Sequence, residues 1–187
     1  YNNFAAGTDA LSSNTEGYKN IAIGFESLKS NIDGDFNVAF GEFTLQNNTT
    51  GRRNLAMGWM SMRGNVSGSS NIAIGDQAMY GISGTGNYNT ALGSASLMSN
   101  GDGSENVAIG RWALTNSRAG DNNTAIGSRA LNSIYEDGNN NTGLGYNAGD
   151  AIGEGDNNVV LGSEADVSGE TNSSNNAQNQ IVIGYNA

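Results

Sequence analysis

Histidine, cysteine and proline are absent from this chain, and each absence closes a route. Without histidine there is no imidazole general base, and without cysteine there is no thiolate nucleophile. Together the two losses remove the usual ligands of a zinc site. No disulfide framework can form, although that alone does not fix the compartment. Positive charge is scarce as well: 8 Lys and Arg stand against 18 Asp and Glu, for a net charge of −10 and a pI near 4.1. Such a chain cannot neutralise a run of phosphates, so nucleic acid is not an expected partner. An anionic membrane surface would repel it. No apolar run approaches the length of a transmembrane helix, so no direct membrane insertion is expected in this segment. Hydrophobic residues make up 36% of 187 residues, too few for one thick core. The apolar material must be spread thinly along an extended shape, or the chain must be disordered. Periodicity decides between these.

What the chain has in abundance is repetition. One pattern, Asn-x-Ala-apolar-Gly, runs from end to end: NFAAG at 3–7, NIAIG at 20–24, NVAFG at 37–41, NLAMG at 54–58 and NIAIG at 71–75. It continues as NTALG at 89–93, NVAIG at 106–110, NTAIG at 123–127, NTGLG at 141–145, NVVLG at 158–162 and QIVIG at 180–184, eleven copies in all. The closing glycines are 17 or 18 residues apart until the last interval, which is 22. A helical repeat needs about 33 residues for its helix pair, and the Gly and Asn content opposes helix. A β-solenoid coil fits the period. The first motif starts at Asn3 with no signal peptide ahead of it, so the segment is expected to belong to a longer protein.

Each unit carries a second apolar segment, a small residue followed by Leu or Met: Ser27-Leu28, Thr44-Leu45, Ser61-Met62, Ala78-Met79, Ser96-Leu97 and Ala113-Leu114 among them. A further glycine stands three residues before the next motif, as in Gly17, Gly34 and Gly51. The coil therefore reads as strand, Gly corner, second strand, then a polar Asn/Gly turn. Glycine recurs where a corner needs positive φ or where neighbouring backbones approach closely. Asparagine at a fixed place predicts a ladder of stacked amides. Strand periodicity of two sets Ile21 and Ile23 on one face and Asn20 and Ala22 on the other. The fourth motif position is apolar in all eleven copies, so it is expected to fill the inside of the roll, with the alanines as an outer stripe. If the faces are exchanged, the bulky row lies outside instead. In both arrangements one apolar face is left over, and a ring of identical chains would bury it. Residues 1–144 read as a uniform rod and 145–187 as a variant end of the same solenoid, with a long polar insertion from Ser163 to Gln180.

NVAIG at 106–110 and NTAIG at 123–127 resemble the head repeat of trimeric autotransporter adhesins (the YadA-like head). Related longer repeats occur in trimeric phage tail fibres and bacterial surface fibres. The resemblance covers nearly the whole chain. It implies an all-β, left-handed parallel β-roll (a β-solenoid), three chains around one axis, and a structural or adhesive role in an extracellular fibre at a cell surface or on a virion tail. A homotrimer is the expected assembly, with surface glycans or a receptor on a host or prey cell as further partners. The adhesin head repeat is shorter, so the additional residues here are expected in the turns. A membrane anchor or intramolecular chaperone, which such fibres often carry, is not visible.

The chemistry of an enzyme is not expected. The pair Glu136-Asp137 falls in a repeated polar turn, and Gly-rich strings such as GTGNYNTALG at 84–93 lack the lysine of a phosphate loop. Acyltransferase solenoids repeat an apolar residue every six, whereas Lys29 and Asp35 follow Ile23 at that spacing. Calcium-binding rolls need Asp at a fixed place in every turn, yet Arg52, Arg53 and Ser67 occupy turns where Asp33, Asp102 or Asp121 stands elsewhere. No catalytic residue, metal site or cofactor is expected. The candidate ligand-binding residues are Trp59 with Arg52, Arg53 and Arg63, and Trp112 with Arg111 and Arg118. Aromatic faces can stack on sugars, and arginine forks hold carboxylates of acidic glycans.

Overall fold

Every copy of the five-residue motif makes the same short strand. The computed structural model describes residues 2–81, 84–134, 138–150, 152–167 and 177–187. Its first six strands are β1 (Phe4–Ala6), β2 (Ile21–Ile23), β3 (Val38–Phe40), β4 (Leu55–Met57), β5 (Ile72–Ile74) and β6 (Thr90–Leu92). There follow β7 (Val107–Ile109), β8 (Thr124–Ile126), β9 (Thr142–Leu144), β10 (Val159–Leu161) and β11 (Ile181–Ile183). All eleven join one parallel sheet in chain order, and register keeps the motif aligned: Ile21 opposite Val38, Ala22 opposite Ala39, Ile23 opposite Phe40. This is a β-solenoid, and no helix occurs among the described residues. Ten steps between strands, at about 4.8 Å each, give a sheet roughly 48 Å long. Part of the polar insertion expected from Ser163 to Gln180, and the pair Glu136-Asp137, lie outside the described residues.

The two faces are the reverse of the first expectation. Alanines at the third motif position are wholly buried from Ala22 to Ala125, while Ile21, Phe40, Met57, Ile74 and Leu144 are exposed. Size across the coil, rather than period along the strand, explains the exchange. A methyl built on Gly143, the third-position residue of β9, would lie 2.7 Å from the side chain of Leu131. The interior is therefore one small residue plus one leucine thick, and a second bulky row has no room. Leu28, Leu45, Met62, Leu97, Leu114 and Leu131 fill that core, all with no exposed surface. Each contributes roughly 1.5–3 kcal/mol by burial.

The second segment is not the strand that the sequence reading expects. In the second coil Glu26 (φ 53) and Leu28 (φ 50) are both left-handed, and the same pair of positions repeats as Phe43 and Leu45, then Met60 and Met62. In a strand, Ser27 and Leu28 would point to opposite sides. Two left-handed residues flanking Ser27 curl the chain so that both side chains end up inside. Neighbouring coils still bond through this bend: Leu28 N–H donates to the Thr44 carbonyl at 3.0 Å. A non-glycine residue in this region costs about 1–2 kcal/mol. Burial of the leucine is of the same size or larger, which is why the bend survives without glycine.

Glycine is kept where no side chain fits. The corner glycines are left-handed or beyond, as at Gly41 (φ 135), and a Cβ there would meet the Gly58 carbonyl 2.6 Å away. Gly17, Gly34 and Gly51 have ordinary φ, but a Cβ on each would strike the glycine carbonyl of the next coil. Positive φ and close approach thus account for different glycines.

Three polar ladders hold the coils in register. Motif asparagines form the first: Asn37 donates its N–H to Asn20 Oδ1 at 2.9 Å, and its Nδ2 to the Gly51 carbonyl at 2.8 Å. That backbone-to-amide step recurs from Asn3 to Gln180. A second ladder is the amide-to-amide kind, with Asn31, Asn48 and Asn65 each donating Nδ2 to Oδ1 of the preceding asparagine, Asn14, Asn31 and Asn48, at 2.7 Å. The third runs through the polar turn, where Asp35, Ser69, Asn87, Ser104, Asp121, Asn139 and Asp156 each accept a backbone N–H of the preceding coil. Buried amides satisfied on both sides are rigid register pins, because a slip would strand polar groups in the core.

Candidate functional site

Three surfaces remain outside the coil: the outer face of the sheet, the glycine corner after each strand, and the polar turns. The sheet face carries two apolar rows. The first-row side chains are Phe4, Ile21, Val38, Leu55 and Ile72, giving way to Thr90, Thr124 and Thr142 further along. The second row stays apolar from Ala6 through Ile23, Phe40, Met57, Ile74, Leu92, Ile109 and Ile126 to Leu144, Leu161 and Ile183. Most of these side chains are partly or largely exposed. Taking the strip as roughly 48 Å by 10 Å gives about 500 Å² of near-continuous apolar surface, the upper end of what monomers expose.

The structure separates the candidate residues around Trp59. The indole is exposed on the corner after Gly58. Arg52 lies in a polar turn and pairs with Asp35 at 3.5 Å and Asp33 at 3.7 Å. Arg53 sits 6.0 Å from the Phe36 ring centre. Arg63 donates Nε to Gln46 at 2.7 Å and reaches the Tyr80 hydroxyl at 3.3 Å, with its guanidinium 5.7 Å from the Phe43 ring. None of the three stacks on Trp59. The reason is the winding of the coil: residues four to seven apart in the chain lie at different places around a seventeen-residue turn.

Around Trp112 the outcome is mixed. Arg111 stacks on the indole, 3.7 Å from its centre, as the adjacency predicts. Arg118 does not. It lines a groove of about 510 Å³ on another side of the roll with Tyr80, Met98, Ser99 and Asp102. In its place Arg129 brings its guanidinium to 4.9 Å from the same indole. The sequence held a signal for this residue, since one coil length of 17 added to Trp112 lands on Arg129. Neither Arg111 nor Arg129 makes a side-chain hydrogen bond or ion pair with any described residue.

Elsewhere, aromatic and cationic side chains stack between coils. Tyr18 meets Phe36 edge-on at 5.3 Å and Phe25 meets Phe43 at 5.2 Å. Lys19 Nζ lies 5.0 Å from the Phe36 ring. Lys29 bonds Glu26 at 2.7 Å, and that hydrogen bond, with Asp9 beyond it, holds the ammonium above its usual pKa range. Among the described residues no three acidic side chains converge as a metal site would need, and no helix is long and apolar enough to cross a membrane. No protein-family profile, curated protein or solved structure matches this chain.

Proposed function

We propose that this chain is a segment of a trimeric extracellular fibre that supports surface attachment, with the outer faces of three sheets packed around a common axis. One observation carries the reading: a flat apolar strip of about 500 Å² along the whole sheet, too long and continuous for a surface left to water. Three other features support it. The rod form separates its two ends by roughly 48 Å. The absence of histidine and cysteine leaves little for catalysis. The net charge of −10 favours solubility of a long assembly. That the number is three, and that the roll winds left-handed, rests on the resemblance of the repeat to trimeric fibre heads. The strip itself requires only that copies meet there.

Light scattering coupled to size exclusion tests the assembly. The expected mass is three times the chain mass of 19.3 kDa. Ile109→Lys, on the second row and far from both ends, is expected to yield a monomer that keeps its β-rich circular dichroism. A wild-type chain that is monodisperse as a monomer at micromolar concentration overturns the proposal. A second reading, that the rod is only a spacer for an adhesive tip outside this segment, shares the same assembly and differs in whether its sides bind anything.

A further inference from the structure

We infer that the corner formed by Arg111, Trp112 and Arg129 binds the oxyanion of an acidic saccharide, a carboxylate or a sulfate. The inference deepens the attachment reading above and rests on it for the nature of the ligand. Two guanidiniums lie within 5 Å of one indole, and among the described residues no carboxylate pairs with either. Acids outnumber bases 18 to 8 in this chain, so two adjacent arginines with no acid between them stand out in its charge pattern. Two of the other cations have acids, Arg52 with Asp33 and Asp35 and Lys29 with Glu26 and Asp9, while Arg63 spends its N–H groups on Gln46 and the Tyr80 hydroxyl. Lys19 and Arg53 flank Phe36 more loosely, at 5.0 and 6.0 Å, and Asp35 is next to Phe36 in the chain.

At the Trp112 corner the neighbouring coils present Ser94, Ala95, Ser128, Tyr146 and Asn147. The nearest acids in the same two columns are Asp76 and Glu164, each two coils away, about 10 Å along the rod. The column is acidic or neutral everywhere else, from Asp9, Glu26 and Glu42 at one end to Glu164 near the other. A single basic window is thus set in an otherwise acidic or neutral edge. Contact with the indole holds the two guanidiniums in place, and neither spends a side-chain N–H on a described residue, so both can bind a carboxylate or a sulfate. Trp112 (φ 60) and Arg129 (φ 60) are held in the left-handed region, at corner positions where Asn147 and Asn186 stand in later coils. Asparagine tolerates that conformation more easily. The architecture itself therefore does not ask for an indole or a guanidinium at these places.

The test uses Trp59→Phe, which leaves Trp112 the sole tryptophan, and follows its fluorescence during titration with three probes. These are a chondroitin sulfate oligosaccharide, an oligogalacturonate and uncharged cellohexaose, with calorimetry as the second readout. Saturable binding of one or both acidic probes is expected. It should weaken roughly tenfold or more in the Arg111→Gln, Arg129→Gln double variant, with mass and melting temperature unchanged. Which acidic probe binds tells sulfate from carboxylate. Equal binding of cellohexaose, absence of binding by both acidic probes, or unchanged affinity in the double variant overturns the site. So does loss of assembly in the double variant, since the arginines would then belong to a chain–chain contact. A trimeric rod that binds nothing removes this inference and leaves the fibre reading. A monomer that binds the acidic probe does the reverse.

Discussion

Gly84 differs from its counterparts in a way that one side chain can exploit. At Gly41 a Cβ would lie 2.6 Å from a backbone carbonyl oxygen, whereas at Gly84 the nearest atoms are the Gly101 oxygen at 3.4 Å and Asn65 Cα at 3.7 Å, ordinary contact. Gly84 pairs with Asn65 across the coils, so it occupies the place of the next rung of the amide ladder, and a cavity of about 10 Å³ lies between Asn65, Gly84 and Asn100. Gly84→Asn is expected to fill that gap and continue the ladder, raising stability by about 1 kcal/mol. Gly84→Ala should give only the backbone-entropy part, about 0.4–1 kcal/mol. Gly41→Ala should lose 2 kcal/mol or more, roughly, because strain and clash coincide there. Thermal or denaturant melts of the three variants decide the order, and a destabilised Gly84→Asn would refute the ladder argument. One coil pair further on, Asn100 Oδ1 and the Ser117 hydroxyl are buried without partners. Ser117→Asn should donate its Nδ2 to Asn100 Oδ1, remove the unpaired hydroxyl and raise the melting temperature.

At the scale of the element, the motif asparagine outweighs its size. Asn54 accepts the Asn71 N–H at 3.0 Å and donates to the Gly68 carbonyl at 2.8 Å, and it is almost wholly buried. Asn54→Leu leaves the buried Asn71 N–H unmet and takes from the Gly68 carbonyl one of its two donors, the other being Asn65 Nδ2 at 3.0 Å, for a loss of about 2–3 kcal/mol. That loss is comparable to the roughly 2–5 kcal/mol expected for Leu45→Ala in the core. Asn54→Asp keeps the acceptor and loses the donor, so it should fall between wild type and Asn54→Leu. Chemical denaturation of the three proteins measures the ranking. Equal losses for Asp and Leu would mean that the donor to Gly68, not the acceptor, holds the coil. The strand was legible in the sequence because its period and closing glycine repeat eleven times. The second segment was misread because left-handed residues such as Leu28 and Leu45 carry no mark in the sequence: their side chains are ordinary core leucines, and only the curl of the coil demands the conformation.

Across the whole molecule, stability is the sum of like steps between neighbouring coils, as in other solenoids. The steps are made of leucines, alanines and amides, with no converging acids among the described residues. Melting temperature is therefore expected to be unchanged by EDTA within about a degree, consistent with a core held by burial and hydrogen bonds rather than by metal. A large fall in chelator would reinstate a calcium roll. Far-ultraviolet circular dichroism should be β-rich throughout, and solution scattering should report an elongated particle.

The sequence by itself determined the repeat length, the strand in each repeat, the corner glycines and the presence of a leftover apolar face, because each follows from local period or from a residue with few permitted conformations. It also settled the absence of imidazole and thiolate chemistry. Which face lies inside was left open by the sequence, since Ile21 and Ala22 alternate equally well either way. The narrow interior decided it: Leu28 arrives from the bend and takes the space, so alanine goes in and isoleucine goes out. Partnerships between coils were equally beyond a linear reading. Arg118, six residues from Trp112, lies on another side of the roll, while Arg129, a full turn away, meets the indole. In a solenoid, distance in the chain measures position around the coil, and only the winding turns it into contact.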